Sequence, residues 1–310
     1  MEETFVRDDF GQRLKAILRD YFFATRPLSL TLALYSTTIG IVIAYHEGYL
    51  FNQDEFFLDW IKILLVTVAG LFVQTGANLI NDYFECDYKD RHQSLVRYHF
   101  LGKTRTLFDI SIFLLGVLAF VITGVIGLIL LWLSSGAVLV VGILGIIGSY
   151  AYTGEPIVYK KRGLGTPLSF LLMGPLMIYG AYVVFAETFS WSPILIGMPI
   201  SLIIPVLMLS NELRDYHRDK KLGIRTMTVR LGFKFSKCLY VCLLILSYSL
   251  VVVYILAKLV PAHAILTWLT IPLAIKSIQL IAANERAVVP QTNKLHLAFG
   301  MILILSLLYS

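Results

Sequence analysis

Long stretches of this chain contain almost nothing that water would hold. Segment 110–133 has no charged residue, and 247–259 has one, Lys258. A helix crossing the hydrocarbon of a bilayer needs about 20 such residues. In lipid only helices and closed barrels satisfy their own backbone. A barrel would alternate apolar and polar residues in segments of about ten, and that alternation is absent here. The chain is therefore expected to be an all-α polytopic membrane protein. Its 57% hydrophobic and 15% charged residues agree, since soluble domains are nearer a half and a quarter.

A window of about 19 residues places about nine spans near 28–46, 61–83, 107–129, 135–152, 167–186, 193–212, 236–257, 264–283 and 295–310. Basic residues crowd every second connection: 87–105, 159–162 and 214–237. The intervening connections are short or acidic. The positive-inside rule then puts the N-terminus and the basic loops in the cytoplasm. Ahead of the first span, Phe10, Leu14, Ile17, Leu18 and Tyr21 recur at helical spacing among Arg13, Lys15 and Arg19. That pattern predicts an amphipathic helix lying in the interface. Segment 1–26 lacks the apolar core of a cleavable signal, so the first span is expected to direct insertion. One integral membrane domain is expected over 1–310, with an interfacial helix in 1–27 and transmembrane helices in 28–310.

Acidic residues at membrane depth are costly and mark function. Two patches stand out. The first is Asn78-Leu79-Ile80-Asn81-Asp82-Tyr83-Phe84-Glu85-Cys86-Asp87-Tyr88-Lys89-Asp90. The second is Asn211-Glu212-Leu213-Arg214-Asp215-Tyr216-His217-Arg218-Asp219. On a helix, Asn78, Asn81, Asp82 and Glu85 share a face, as do Asn211, Asp215 and Asp219. Asp87 and Asp90 fall where the first helix gives way to a loop. Each patch closes the second helix of a four-span unit, spans 1–4 and 5–8. The expected architecture is two four-helix halves around a central cavity open to the cytoplasmic side. Oxygen-only ligand sets suit Mg2+, which takes a few carboxylates together with substrate phosphates. Candidate metal ligands are Asn78, Asn81, Asp82, Glu85, Asp87, Asp90, Asn211, Asp215 and Asp219. Candidate cations for a diphosphate are Arg26, Lys161, Arg162, Arg214 and Arg218.

Other features are plainer. Cys86, Cys238 and Cys242 are too few and too scattered for a disulfide framework or a zinc site. The net charge of +6 reads as topology and anionic-ligand attraction rather than nucleic-acid binding. His217 reads as a solvated or ion-paired side chain.

These residues resemble the UbiA family of intramembrane aromatic prenyltransferases, whose acid motifs lie on the second and sixth helices. Asn81-Asp82-Tyr83-Phe84-Glu85 resembles the first motif. The stretch from Asn211 through Asp215 and Asp219 to Gly223 and Thr226 resembles the second. Arg26-Pro27 matches the family's entry to its first helix. Tyr152-Thr153-Gly154-x-Pro156, Arg162-Gly163-Leu164-Gly165 and Gly174-Pro175 resemble the menaquinone-branch members. The likeness covers nearly the whole chain. It departs in four places. Glu85 stands where Asp is usual. Asp87 and Asp90 stand near the next expected acid. Arg91-His92-Gln93-Ser94-Leu95-Val96-Arg97 replaces a glycine-rich stretch. Thr166 follows Gly-Leu-Gly where an acid is frequent.

The resemblance implies an Mg2+-dependent enzyme in a bacterial inner membrane. It would transfer a polyprenyl group from its diphosphate to an aromatic acceptor, 1,4-dihydroxy-2-naphthoate in menaquinone biosynthesis. Asn81, Glu85, Asp215 and Asp219 would be its catalytic residues. The alternatives are another acceptor (hydroxybenzoate or another quinone, haem or lipid precursor) and, from a different class, a transporter of an anionic lipid or metal.

Overall fold

A computed structural model describes residues 15–51, 56–85 and 96–309. Helix α1 covers 15–24, α2 Pro27–His46, α3 Phe56–Glu85, α4 Leu107–Leu133 and α5 Ala137–Ala151. Helix α6 runs over Gly165–Ala186. Helix α7 (Ile203–Lys221) follows two short turns, Ser192–Ile196 and Met198–Ser201. Then come α8 (Phe233–Leu256), α9 (Ala262–Ala282) and α10 (Val288–Leu308). Seven of these helices, α2, α3, α4, α6, α8, α9 and α10, are long and apolar enough to cross a bilayer. The other two expected spans are the shorter apolar α5 and the broken segment leading into α7, whose second half is charged.

The outer face of α4 shows what solvent this fold is built for. Leu114, Leu118, Val121, Val125, Leu128 and Trp132 recur every three or four residues and are all at least half exposed. Such a stripe on a soluble protein would drive aggregation, whereas lipid is its matching solvent. Helix α1 covers part of the segment expected to be amphipathic. Ile17, Leu18, Phe22 and Phe23 are exposed, and Tyr21 turns inward, its ring 4.7 Å from that of Phe108. Phe10 and Leu14 lie outside the described residues.

Helix α2 joins the two halves, packing on α3, α6 and α10. Its contact with α6 depends on Gly40: a Cβ there would sit 2.2 Å from the Ile178 carbonyl oxygen. In α6 a turn of π-helix, Leu172–Leu176, absorbs Pro175. Proline has no N–H and displaces the helical ladder. The Ser36 hydroxyl of α2 donates to the Met173 carbonyl at 2.6 Å, tying α2 to this turn.

One element departs from the all-helical expectation. Arg97–Phe100 (β1) and Lys103–Thr106 (β2) form an antiparallel hairpin with Arg97 opposite Thr106. Leu101 and Gly102 at its tip both have positive φ, 49° and 70°, as a tight primed turn demands. The hairpin is anchored by the Tyr83 hydroxyl, which donates to the Phe100 carbonyl at 3.2 Å.

Candidate active site

Both acid motifs are helix ends, and their surroundings decide what each side chain can do. On α3, Asn81 is buried between Arg26 and Glu85. With its amide oriented to satisfy both neighbours, its N–H donates to Glu85 and its oxygen accepts from Arg26 Nη1 at 2.8 Å. Arg26 has a left-handed φ of 50° just ahead of Pro27. A non-glycine residue in that region is strained and is held by its context. Lys160 Nζ then donates to Glu85 Oε2 at 2.7 Å. An unbroken chain of polar contacts therefore runs Arg26–Asn81–Glu85–Lys160.

Lys160 reaches this place through a 3-10 turn, Tyr159–Arg162, bracketed by positive φ at Val158 and Gly163. Tyr159 is buried, and the Lys160 N–H donates to the Tyr152 carbonyl at 3.1 Å. Burial opposes the charge on Lys160, but Tyr152 and Glu85 outweigh it and hold the ammonium above its ordinary pKa. Lys161 and Arg162, the cations expected from the sequence, are exposed instead. Arg162 donates to the Pro156 carbonyl at 3.1 Å. A turn of about three residues sends successive side chains in different directions, so only one member of the basic run faces the acids.

On α7, Arg214 grips Asp215 with two hydrogen bonds, 2.9 Å from Nε and 2.7 Å from Nη2. Arg218 Nη2 lies 3.2 Å from Asp215 and 3.1 Å from Asp219. The two carboxylates differ in kind. Burial works against ionisation of Asp215, but Arg214, then Arg218 and Lys160, hold its carboxyl below the usual range. Burial wins at Asp219 and raises its carboxyl despite Arg218. Lys160 acts electrostatically on both. Its direct partner is Glu85 of the α3 motif.

The remaining candidates fall in three groups. Asn78 is buried, and its amide is fully engaged in packing. It donates to the Thr25 carbonyl and the Ser29 hydroxyl, each at 2.7 Å, and accepts from Gln74 at 3.3 Å. That pins the start of α2 to α3 rather than presenting a metal ligand. Asp82 and Asn211 are half-buried beside their motifs, with Asn211 Nδ2 donating to the Leu207 carbonyl at 3.0 Å. Asp87 and Asp90 lie outside the described residues.

Glu212 was not among the candidates, yet it is the best-anchored acid of the second motif. It is buried, takes the Thr166 hydroxyl at 2.8 Å on one oxygen and the Thr228 N–H at 2.8 Å on the other. It thereby ties α7 to the start of α6 and to the short helix Met227–Leu231. Its carboxylate stands against Thr166, the position where an acid was expected. Only the pairing of residues 166 and 212 in space reveals this.

Among the described residues no three His, Cys, Asp or Glu side chains converge as a ready-made metal cage. The donor set still fits Mg2+, because that ion is usually held by one or two carboxylates with phosphate and water completing the shell. Glu85, Asp215 and Asp219 are all neutralised by cations in the chain itself. An incoming metal–diphosphate pair could exchange partners with them, acids to metal and cations to phosphate, without stranding a buried charge.

The comparison with known proteins fits this arrangement. The model of the UbiA prenyltransferase family matches residues 39–300. The chain belongs to that family. UbiA proteins similar to it include the UbiA prenyltransferase domain-containing protein 1 of Xenopus tropicalis, 30% identical over 91% of this chain and 79% of that protein. Another is the 1,4-dihydroxy-2-naphthoate octaprenyltransferase of Bacillus subtilis (strain 168), 25% identical over 92% and 91%. A solved UbiA homolog from Archaeoglobus fulgidus bound to DMAPP and Mg2+ has the same fold, with a TM-score of 0.60 at 13% identity, covering 92% of this chain and 98% of that one. The protein is thus a UbiA-family prenyltransferase of the membrane.

Proposed function

We propose that this UbiA protein transfers a polyprenyl group from an allylic polyprenyl diphosphate to 1,4-dihydroxy-2-naphthoate, a step of menaquinone biosynthesis. The observation that carries the reading is the polar chain Arg26–Asn81–Glu85–Lys160, in which two cations meet the acid motif of α3. The whole chain, 1–310, acts as one domain, with its N-terminus and motif ends on the cytoplasmic face of a bacterial inner membrane. The naphthoate acceptor is favoured by the Tyr152–Pro156 and Arg162–Gly165 segments and by the likeness to the Bacillus subtilis enzyme.

Asn81, Glu85, Asp215 and Asp219 would hold Mg2+, which supplies charge neutralisation for a leaving diphosphate. Arg26 and Lys160, with Arg214 and Arg218, meet the phosphate oxygens as the allylic C–O bond breaks. Preorganised charge of this kind is usually the largest catalytic contribution. The apolar helices keep water from the allylic cation, which the electron-rich ring captures at carbon. The ring loses its carboxylate as carbon dioxide when the prenyl group enters.

The test is a prenyl-transfer assay on purified protein with one long-chain polyprenyl diphosphate and a panel of aromatic acceptors, with Asp215→Ala and Asp219→Ala as controls. A prenylated dihydroxynaphthoate that needs Mg2+ and disappears in both variants is expected. Diphosphate release with product on a different acceptor would overturn the naphthoate assignment. Full turnover in the folded variants would overturn the motif assignment.

A further inference from the structure

One cavity lies far from the acid motifs. Helix α2 starts beside Arg26, which bonds Asn81, and runs 20 residues to His46. At about 1.5 Å per residue that is about 30 Å, the thickness of the hydrocarbon core. A cavity of about 510 Å³ opens at this far end, formed by the ends of α2, α8 and α10 and the turn after α8. No step of the prenyl transfer uses it.

Its walls are of two kinds. Ile43, Ile196, Ile255 and Leu307 make an aliphatic side, and Glu47 and Lys258 bring opposite charges to the same space. Glu47 is positioned by the Tyr182 hydroxyl, which donates to Oε2 at 2.5 Å. Lys258 is presented by a tight turn: its φ is 58°, and its N–H donates to the Ile255 carbonyl at 3.0 Å. The wall between them is closed by a hydrogen bond between the His46 ring and the Leu307 carbonyl. Among the described residues no ion pair joins Lys258 to Glu47.

We infer that this cavity binds the headgroup of a zwitterionic phospholipid carrying a primary ammonium, of the phosphatidylethanolamine class, from the leaflet opposite the acid motifs. The ammonium meets Glu47, the phosphodiester meets Lys258, and the glycerol and first methylenes lie on the aliphatic wall. The volume suits a ligand of that size. Phosphatidylcholine keeps the charges but has no N–H to donate, and phosphatidylglycerol has no cation. Only the ethanolamine headgroup uses both charged walls with hydrogen bonds.

Native mass spectrometry of the full-length protein in detergent, titrated with each of the three lipids, tests this. The ethanolamine lipid is expected to bind about tenfold more tightly than the other two, the worth of one charge-assisted hydrogen bond. Glu47→Gln, which keeps an acceptor for Tyr182, should remove that preference. Lys258→Gln should weaken all three lipids several-fold, because each carries the phosphodiester, and should keep the preference. Both variants should leave prenyl transfer at its original rate. Lys258 is exposed on a turn, so its variant tests the phosphate contact even if Glu47→Gln is unstable. Equal affinity for the three lipids, a preference for phosphatidylglycerol, or unchanged affinities in Lys258→Gln would overturn the inference.

Discussion

Lys160 and Glu85 lie 75 positions apart in the chain and meet in an ion pair, Nζ to Oε2 at 2.7 Å. The pair fastens the connection between α5 and α6 onto the last turn of α3. The Lys160 charge helps to hold the carboxyl of Asp215 on α7 below the usual range. If this cation meets diphosphate, Lys160→Ala should lower kcat/KM for the polyprenyl diphosphate by about 100-fold, a charge-assisted contact in a screened site. Lys161→Ala, an exposed neighbour, should change it less than threefold. Steady-state kinetics on the two variants side by side decide which member of the basic run is used.

Asp219 should set the acid limb of the pH profile. Its folded carboxyl titrates above the ordinary aspartate value, so the fold disfavours its ionised form, and this stabilising contribution of the neutral acid is lost as pH rises through the raised value. Asp215 runs the other way: its contribution is present above the unfolded value and lost as pH falls through the depressed one. Metal needs both ionised. Raising Mg2+ should therefore move the acid limb of kcat/KM to lower pH. A limb that stays fixed over a wide range of Mg2+ concentration would refute the role of Asp219.

Asn78 and Asn81 sit one turn apart and should respond differently. Asn78→Ala removes bonds to Thr25 and Ser29 and should lower stability by about 1–3 kcal/mol. The Mg2+ concentration for half-maximal activity should hardly move. Asn81→Ala should raise that concentration several-fold with a smaller loss of stability. Thermal unfolding in detergent and Mg2+ titration of activity separate the two.

Glu212→Leu should reveal a buried clamp. Leucine offers no acceptor to the Thr166 hydroxyl or the Thr228 N–H. The unpaired Thr228 N–H should cost about 1–3 kcal/mol, read as a lowered Tm. Thr166→Val in the same background should add little, because the partner is already lost. Strict additivity of the two losses would show that the residues are not coupled.

Several of these features were legible without coordinates and others were not. The i, i+4 spacing of Asn81 with Glu85 and of Asp215 with Asp219 follows from helical periodicity alone, as does the placement of each motif at a helix end. Lys160, Lys161 and Arg162 carry equal chemistry, so choosing among them needed the path of the 3-10 turn. Asn78 shares a helix face with Asn81, but whether a face meets a cavity or another helix depends on what packs there. The hairpin over Arg97–Thr106 was read as loop, because four-residue strands leave too short a pattern to detect.

Run length and helical periodicity are local properties, and they suffice to place this chain in a membrane as a set of apolar helices with two acid-bearing ends. Packing brings together what that pattern leaves apart: Lys160 meets Glu85, Asn78 and Glu212 fasten helices to their neighbours, and a cavity with charged walls opens at the far end of α2. Each of these depends on residues far apart in the chain, and their meeting is fixed by packing rather than by any pattern along it.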